Sequence, residues 1–369
     1  MGITIKDIAE RARVSSSTVS LALNNKGGIG EETRKRIREI ATDLNYTNPL
    51  RPPDRSQRTD TIRFLRIARH GRIVNRDHTV FISDYIDGIV QASKELEYKA
   101  EVAAFSSTPI DEIVETIQFQ TDIAGAIVLG TELDRNDILR FKDASVPVVF
   151  IDTFVDYAPF DFVDMNNIDS VFMVIEHLLR FGHSEIGIVQ SQARTRNFTL
   201  RERAFEAGME SFGMEIDQRY VFQVDSTFQG AHDDMAALLD RRLPLPTALF
   251  CANDIIAFGV LKALREHGLR VPADISVVGF DDLPAAAHLD PPLTSVAVSK
   301  RQIGSTAVRR LYARIQDSSM APTKTVIGGC LMERESVARV GKPIEATLHD
   351  SVAGISRHRD KQVRQGAER

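Results

Sequence analysis

Short runs of Val, Ile, Leu and Phe recur about every thirty residues over most of this chain, with helical patterns between them. The runs are Ile62–Ala68, Glu101–Phe105, Gly125–Leu129 and Val146–Ile151, then Ile186–Val189, Val221–Val224, Ala248–Cys251 and Ser276–Phe280. Near-continuous apolar strands alternating with helices call for parallel sheets, since each crossover lays a helix on a sheet face and so buries both faces. Eight strands in two sets of four predict two similar lobes rather than one sheet. The helix over Ile255–His267 is sharply delimited, closed by Gly268 and followed by Pro272.

The first 46 residues read differently. Ile5, Ile8, Ala9 and Ala12 stand at helical spacing, with Thr4 as N-cap and Asp7 completing a capping box. Arg13 and Val14 form a tight turn, and Ser15 caps a second helix whose inner side is Val19, Ala22 and Leu23. Beyond the Asn24–Gly28 loop, Ile37, Ile40, Ala41 and Leu44 repeat the pattern, and Arg34, Lys35, Arg36 and Arg38 form the opposite face. Three small helices with a short first connection describe a helix-turn-helix. Residues 47–61 carry three prolines and almost no apolar side chain, which marks a linker. Residues 341–369 end in a charged tail expected to be disordered.

Net charge agrees with a division of labour. Residues 1–60 hold eleven basic and eight acidic side chains, whereas the remainder carries a balance of −8. A mildly basic head on an acidic body suits a DNA-binding domain attached to something else. The apolar runs are strand-length, far below the roughly 18 residues that span a bilayer. The N-terminus, MGITIKD, has no apolar secretory core, so a cytoplasmic location is expected. Two cysteines, Cys251 and Cys330, form neither a disulfide framework nor a metal cluster and are read as core or strand residues; no cofactor is expected. His177 and His183 lie around a helix end without a third ligand at useful spacing and are read as structural.

These segments together resemble the LacI/GalR family of bacterial repressors over residues 3–340. The head reads TIKDIAERARVSSSTVSLALNN, then GEETRKRI and LNY. The body reads VVFID, FVDMNN, HLLRFGHSEIGIV, PTALFCANDIIAFGVLKALREHGLRVPADISVVGFDD and PPLTSV, in the family's order. The resemblance implies an all-α helix-turn-helix head (1–46) and a hinge (47–61), followed by a two-lobed, periplasmic-binding-protein-like α/β domain (62–340) with two parallel sheets. Its N-lobe is expected over 62–160 and 295–325, and its C-lobe over 161–294 and 326–340.

In such a head the second helix enters the major groove. Ser16, Ser17 and Leu21 are then the base readers. Where Leu21 stands the family often has arginine, which reads guanine; leucine offers only an apolar contact, such as to a thymine methyl, or no base contact at all. By resemblance Thr4, Ser15, Thr18, Ser20 and Asn24 hold phosphates, which fix register without reading sequence. For Thr4 and Ser15 capping alone is an equal reading, and Arg34 is either a backbone contact or a solvated charge. The hinge departs from the family. Leu50-Arg51-Pro52-Pro53-Asp54-Arg55 replaces the segment that usually forms a short helix and puts a leucine into the minor groove. Proline inside a helix costs about 3 kcal/mol. Either the head bends DNA less, or Leu50 inserts from a shifted position.

Open parallel sheets bind ligands beyond the carboxyl ends of their strands. The polar residues there are Asp152, Asn253, Asp254, Asp281 and Asp282. By resemblance Asp254 and Arg201 are the main polar partners of the effector, Asp152 and Asn197 match secondary contacts, and Phe228 matches an aromatic wall. Asn253 and Asp281 join this set. Carboxylates and arginine make charge-assisted bonds to hydroxyls, which suits a sugar, with a nucleobase or nucleoside as the alternative. Other readings stay open: Asp254 as a helix cap, Arg201 as a surface charge, Phe228 as core, and Asp281 with Asp282 as braces of their loop. The implied partners are a palindromic double-stranded operator, a small-molecule effector and a second copy of the chain, with no membrane. No nucleophile elbow or phosphate loop accompanies the carboxylates, so an enzyme is not expected. A transporter's solute-binding protein would lack the head and carry a signal peptide.

Overall fold

The computed structural model describes residues 5–23, 30–43, 60–118, 123–242 and 244–340. Contacts divide the chain into two units, 1–59 and 60–369, each taken by itself below.

The first unit contains α1 (Ile5–Ala12), α2 (Ser16–Leu23) and α3 (Glu31–Asp43). Ile8, Val19, Ala22 and Ile37 are fully buried and, with Ala9, Ala12 and Ala41, make one small core. Arg13 takes φ 54°, a left-handed turn after which the amide of Val14 bonds back to Ala9 O at 3.0 Å. That closes α1 with the geometry of a C-terminal cap. Ser15 Oγ accepts from the Thr18 amide at 3.1 Å and so caps α2. Arg36 crosses from α3 to donate to Ala12 O. Arg34 stands three residues before Ile37, on the same helix face, and is buried, which corrects its reading as a solvated charge. Thr4, Asn24, the hinge with Leu50, and the tail after 340 lie outside the described residues.

The second unit holds two six-stranded sheets. The first is built from β1 (Thr61–Ala68), β2 (Lys99–Ser106), β3 (Ile123–Leu129), β4 (Val148–Ile151) and β5 (Asp161–Met165). Helices α4 (Thr79–Glu95), α5 (Ile110–Gln118) and α6 (Arg135–Arg140) connect them. The second sheet follows α7 (Asn167–Arg180) and runs through β6 (Ile186–Ser191), α8 (Arg196–Ser211), β7 (Val221–Val224) and α9 (Phe228–Asp240). It continues through β8 (Ala248–Cys251), α10 (Asp254–Glu266), β9 (Ser276–Asp281) and β10 (Thr294–Ala297). The chain then returns to the first lobe for α11 (Lys300–Gln316) and β11 (Lys324–Ile327), and ends in the second sheet with β12 (Cys330–Met332). Strand orders are β11-β5-β4-β3-β1-β2 and β12-β10-β9-β8-β6-β7. All pairs are parallel except β10 with β12.

Four strands escaped the sequence reading, and they move the lobe boundaries. β5 belongs to the first sheet, so that lobe continues past 160 to Met165; two of its five residues are aspartates, which broke the apolar pattern. β10 belongs to the second sheet, so the return crossing falls after Ala297 rather than at 295. β11 carries the first sheet through Ile327, past the boundary expected at 325. Thr61, read as the last linker residue, opens β1. β11 and β12 are half-exposed edge strands of three or four residues, too short for a periodicity signal.

Helix α4 reaches the interlobe region because it packs against α11 at very short range. A Cβ on Gly88 would sit 2.0 Å from Arg301 O, and one on Gly304 2.3 Å from Tyr85 O. Only glycine allows the two backbones this close. The crossing directs Phe81, Ile82 and Tyr85 inward, where they are buried. Among the described residues no helix is long and apolar enough to cross a membrane.

Candidate functional site

Both sheets present their carboxyl ends to the space between the lobes, and the backbone there is unusual. Asp152, directly after β4, has φ 61°, and Asp281, the last residue of β9, has φ 113°. Non-glycine residues in the left-handed region carry strain that surrounding contacts must hold, and such positions cluster at functional sites. Here the contacts are many. Asp152 accepts from Tyr85 OH at 2.8 Å, from the Thr131 hydroxyl, and from Asn197 Nδ2 at 3.1 Å. Asn197 in turn accepts from Asn167 Nδ2 at 3.0 Å.

Arg201 lies at the centre. Its Nε donates to Asn167 Oδ1 at 2.9 Å and one Nη to Ala252 O at 2.6 Å. The other Nη is 3.6 Å from Asp281 Oδ1, an atom that is buried without a hydrogen-bond partner. The guanidinium stacks 3.7 Å above the Phe280 ring. This is no surface charge: Arg201 is buried and held on three sides. Burial pushes the Asp281 carboxyl up to about 6, against the pull of Arg201 and Lys300. Lys300 Nζ donates to Asp281 O at 2.6 Å. Burial and the neighbouring Asp152 push Asp164, on β5, up to about 8, so it is neutral at pH 7. Its Oδ2 is buried and has no partner.

The segment between β1 and α4 closes the space from the other side. Glu132 gathers it: one carboxylate oxygen accepts from the amides of Arg69, His70 and Gly71 at 2.8–3.0 Å. The other accepts from Ile73 and Val74 at 2.8 Å each. Burial pushes the Glu132 carboxyl up, but the amides of Ile73, Val74, His70 and Gly71 outweigh it and hold its pKa below the usual value. The same segment bonds the second lobe. Ser226 Oγ donates to Arg72 O at 3.0 Å, and the Phe228 amide donates to Asp77 Oδ2 at 3.1 Å. His78 is buried, which lowers its pKa to about 4 and keeps it neutral. Its Nδ1 faces Asn75 Oδ1, an acceptor, so Nδ1 carries the proton. That leaves Nε2 to accept from Asn253 Nδ2 at 3.1 Å.

Asp152, Asn197, Arg201, Asn253 and Asp281 thus line one cavity of about 40 Å³, with Thr131 and His78 as further polar groups. Ile73, Val74, Phe81, Ile82 and Phe198 supply its apolar wall. Two residues of the expected set do not line it. Asp254 is fully buried beneath, where Oδ2 accepts from the Leu283 amide at 2.7 Å and Oδ1 from Ser295 Oγ at 2.7 Å. Its place is fixed by Gly279, where a Cβ would fall 2.2 Å from Asp254 Oδ1. The α10 cap is Asn253, whose Oδ1 accepts from the Ile256 amide. Phe228 is 36% exposed at the start of α9, beside Lys262, and forms neither cavity wall nor core. Asp282 braces its loop through Arg334 at 2.7 Å, whereas Asp281 does not. His183 links Thr247 and Ala338, bracing the second lobe.

In the head, Ser15 and Ser16 are exposed at the amino end of α2 and Thr18 is half-buried. Ser17, Ser20 and Leu21 lie on α2, but their side chains are outside the described set. Sequence reasoning missed Tyr85, Thr131, Glu132, Asp164 and Lys300. Thr131 and Glu132 follow β3, so the rule of polar residues at strand ends reaches them. No local pattern marks the others.

The model for bacterial regulatory proteins of the lacI family matches residues 4–48, and that for periplasmic binding protein-like domains matches residues 175–337. A HTH-type transcriptional repressor PurR of Glaesserella parasuis serovar 5 (strain SH0165) is 29% identical over 329 residues, 88% of this chain and 93% of that protein. The structure of a transcriptional regulator CelR–cellobiose complex shares 26% identity with a TM-score of 0.68, covering 90% of this chain and 99% of the other. A lac repressor dimer bound to operator and the anti-inducer ONPF is alike in fold, with a TM-score of 0.66 at 24% identity over 92% of this chain and all of that one.

Proposed function

The chain belongs to the LacI/GalR family of bacterial transcriptional regulators, and on that footing we propose that it is a sequence-specific repressor whose operator affinity is set by a polyhydroxylated small molecule held between its lobes. One observation carries the effector half of this reading. Arg201, Asn253, Asp152 and Asp281, from separate elements of both lobes, converge on one cavity at the strand ends. Paired charges and amides around an apolar wall are what a sugar's hydroxyls and C–H faces need. A cellobiose-bound relative supports the same chemistry.

The closed cavity holds about 40 Å³, room for a few waters. A sugar therefore enters by parting the 69–78 segment from the second lobe, and re-closure around it changes how the lobes meet. In a dimer, that change alters the spacing of the two heads, and a palindromic operator reads the spacing. Coupling of this kind amounts to about 1–3 kcal/mol of differential affinity. The same reading places the protein in the cytoplasm, as a homodimer on DNA, and assigns it no catalysis.

Selection of sites from a random duplex library, followed by a sugar panel in the operator-binding assay, tests it. A recovered palindrome whose occupancy shifts with one unmodified sugar is the expected result. Turnover of the sugar, or absence of any enriched sequence with and without the panel, would overturn it.

A further inference from the structure

Outside the inner cavity, and sharing Thr131 with it, lies a second chamber of about 700 Å³ between the lobes. The turns after β3 and β4 wall it on one side and the start of α8 on the other, where Thr195 and Arg196 face outward while Asn197 and Arg201 face in. Four arginines line it: Arg69, Arg135, Arg194 and Arg196. Four carboxylates line it too, but each is already engaged. Glu132 accepts its five amides, and Asp134 caps α6. Asp137 pairs with Arg69 at 3.3 Å and Asp156 with Arg196 at 3.2 Å.

The donors are not used up in the same way. A guanidinium has five N–H groups. Arg135 has no partner among the described residues, Arg194 makes a single bond to Glu202 at 3.2 Å, and Arg196 Nε is buried without an acceptor. Thr153 Oγ1, on the same wall, is also buried and unpartnered. The chamber's four arginines are matched in number by its four carboxylates, but N–H groups of Arg135, Arg194 and Arg196 are left without acceptors, beside the aromatic rings of Phe154 and Tyr157.

We propose that this chamber is an anion subsite of the effector cleft, so that the effector carries a carboxylate or phosphate on its polyhydroxylated body. The body occupies the inner cavity and the anionic group lies in the outer chamber, met by Arg135, Arg194 and Arg196. The inference rests on the sensing role proposed above.

Calorimetry on the full-length protein, with three series of probes, tests it: neutral hexoses, the corresponding hexuronates and the hexose 6-phosphates. At least one anionic member should bind about tenfold or more tightly than its neutral parent, an advantage that shrinks at high salt. Arg135→Gln and Arg194→Gln should each erase most of that advantage, and comparison of the two anionic series tells carboxylate from phosphate. Neutral hexoses that bind and displace operator as well as their anionic derivatives would leave the sensing role standing and overturn the anion subsite. An advantage that survives both substitutions, or no binding in any series by a protein that holds its selected operator, would overturn it as well.

Discussion

Glu132→Ala removes the carboxylate that gathers the amides of Arg69, His70, Gly71, Ile73 and Val74. The five do not weigh equally. His70 and Gly71 are exposed and can turn their amides to water, but Ile73 and Val74 are buried against the cavity. A buried donor left unpaired costs about 1–3 kcal/mol, so the inner two set the penalty at about 2–6 kcal/mol. With a tenfold change for each ~1.4 kcal/mol, amide exchange at 73 and 74 should quicken about thirtyfold or more. Glu132→Gln separates the two sides. Its one carbonyl oxygen serves the buried pair while its amide nitrogen faces three donors, so protection should fall at 69–71 and persist better at 73–74. Hydrogen exchange read by mass spectrometry on the full chain checks both patterns. Unchanged exchange at 73–74 in the alanine variant would refute the argument. So would equal acceleration throughout β1 and β3, because the carboxylate would then hold the lobe and not the segment. Since the folded pKa of Glu132 is lowered below 4.5, its contribution is complete above pH 4.5 and is lost as pH falls through that lower value. The alanine penalty should shrink in acid accordingly.

Other expectations follow from the structure and, for the hinge, from the sequence. Asp164 and Asp254 are both raised to about 8, so the native state keeps protons that the unfolded chain releases above the ordinary aspartate value of 3.8. Their stabilisation is full below that value and lost as pH rises through about 8; the melting midpoint should fall from pH 6 to pH 9, and Asp164→Asn should flatten the fall. Gly88→Ala forces a Cβ against Arg301 O and should cost about 1–3 kcal/mol or more in a denaturant titration, an expectation refuted by an unchanged midpoint. Leu50→Ala should abolish any family-like DNA bend in a bend-angle assay if Leu50 inserts from a shifted hinge; a bend that survives would exclude that role.

The two-lobed body was legible because strand burial on both faces writes itself as uninterrupted apolar runs. β8 runs over Ala248–Cys251 as read from the sequence, and β1, β4 and β9 differ by one or two residues. β5 was hidden by Asp161 and Asp164, which are tolerated in a buried strand for different reasons. Asp161 is met by Arg310 and Arg314 at 2.7 and 2.8 Å, from a helix some 150 positions later. Asp164 is kept neutral by its surroundings. Neither compensation can be seen from neighbouring residues, so a pattern read locally takes the segment for a loop.

The misplacement of Asp254 has a similar origin and is more instructive about the site. Asn253 and Asp254 follow one strand in succession, and both are polar groups at a carboxyl end. Asn253 keeps extended backbone, φ −155°, as the cap before α10, and its amide reaches across to His78. Asp254 is the first helical residue, and one step along a helix turns a side chain by about a quarter of a circle. That turn takes it out of the cleft and under Gly279, where Ser295 and the Leu283 amide satisfy it. Asp281 ends up in the cleft where the chain leaves β9: Asp281 and Asp282 both take positive φ, 113° and 48°, and the carboxylate of the first faces Arg201 while that of the second turns away to Arg334. In both pairs the local backbone decides which of two adjacent polar residues lines the cavity, and composition is blind to it. An Asp281→Ala variant that loses its effector response while Asp254→Asn retains it would establish that division; the reverse result would return Asp254 to the binding site.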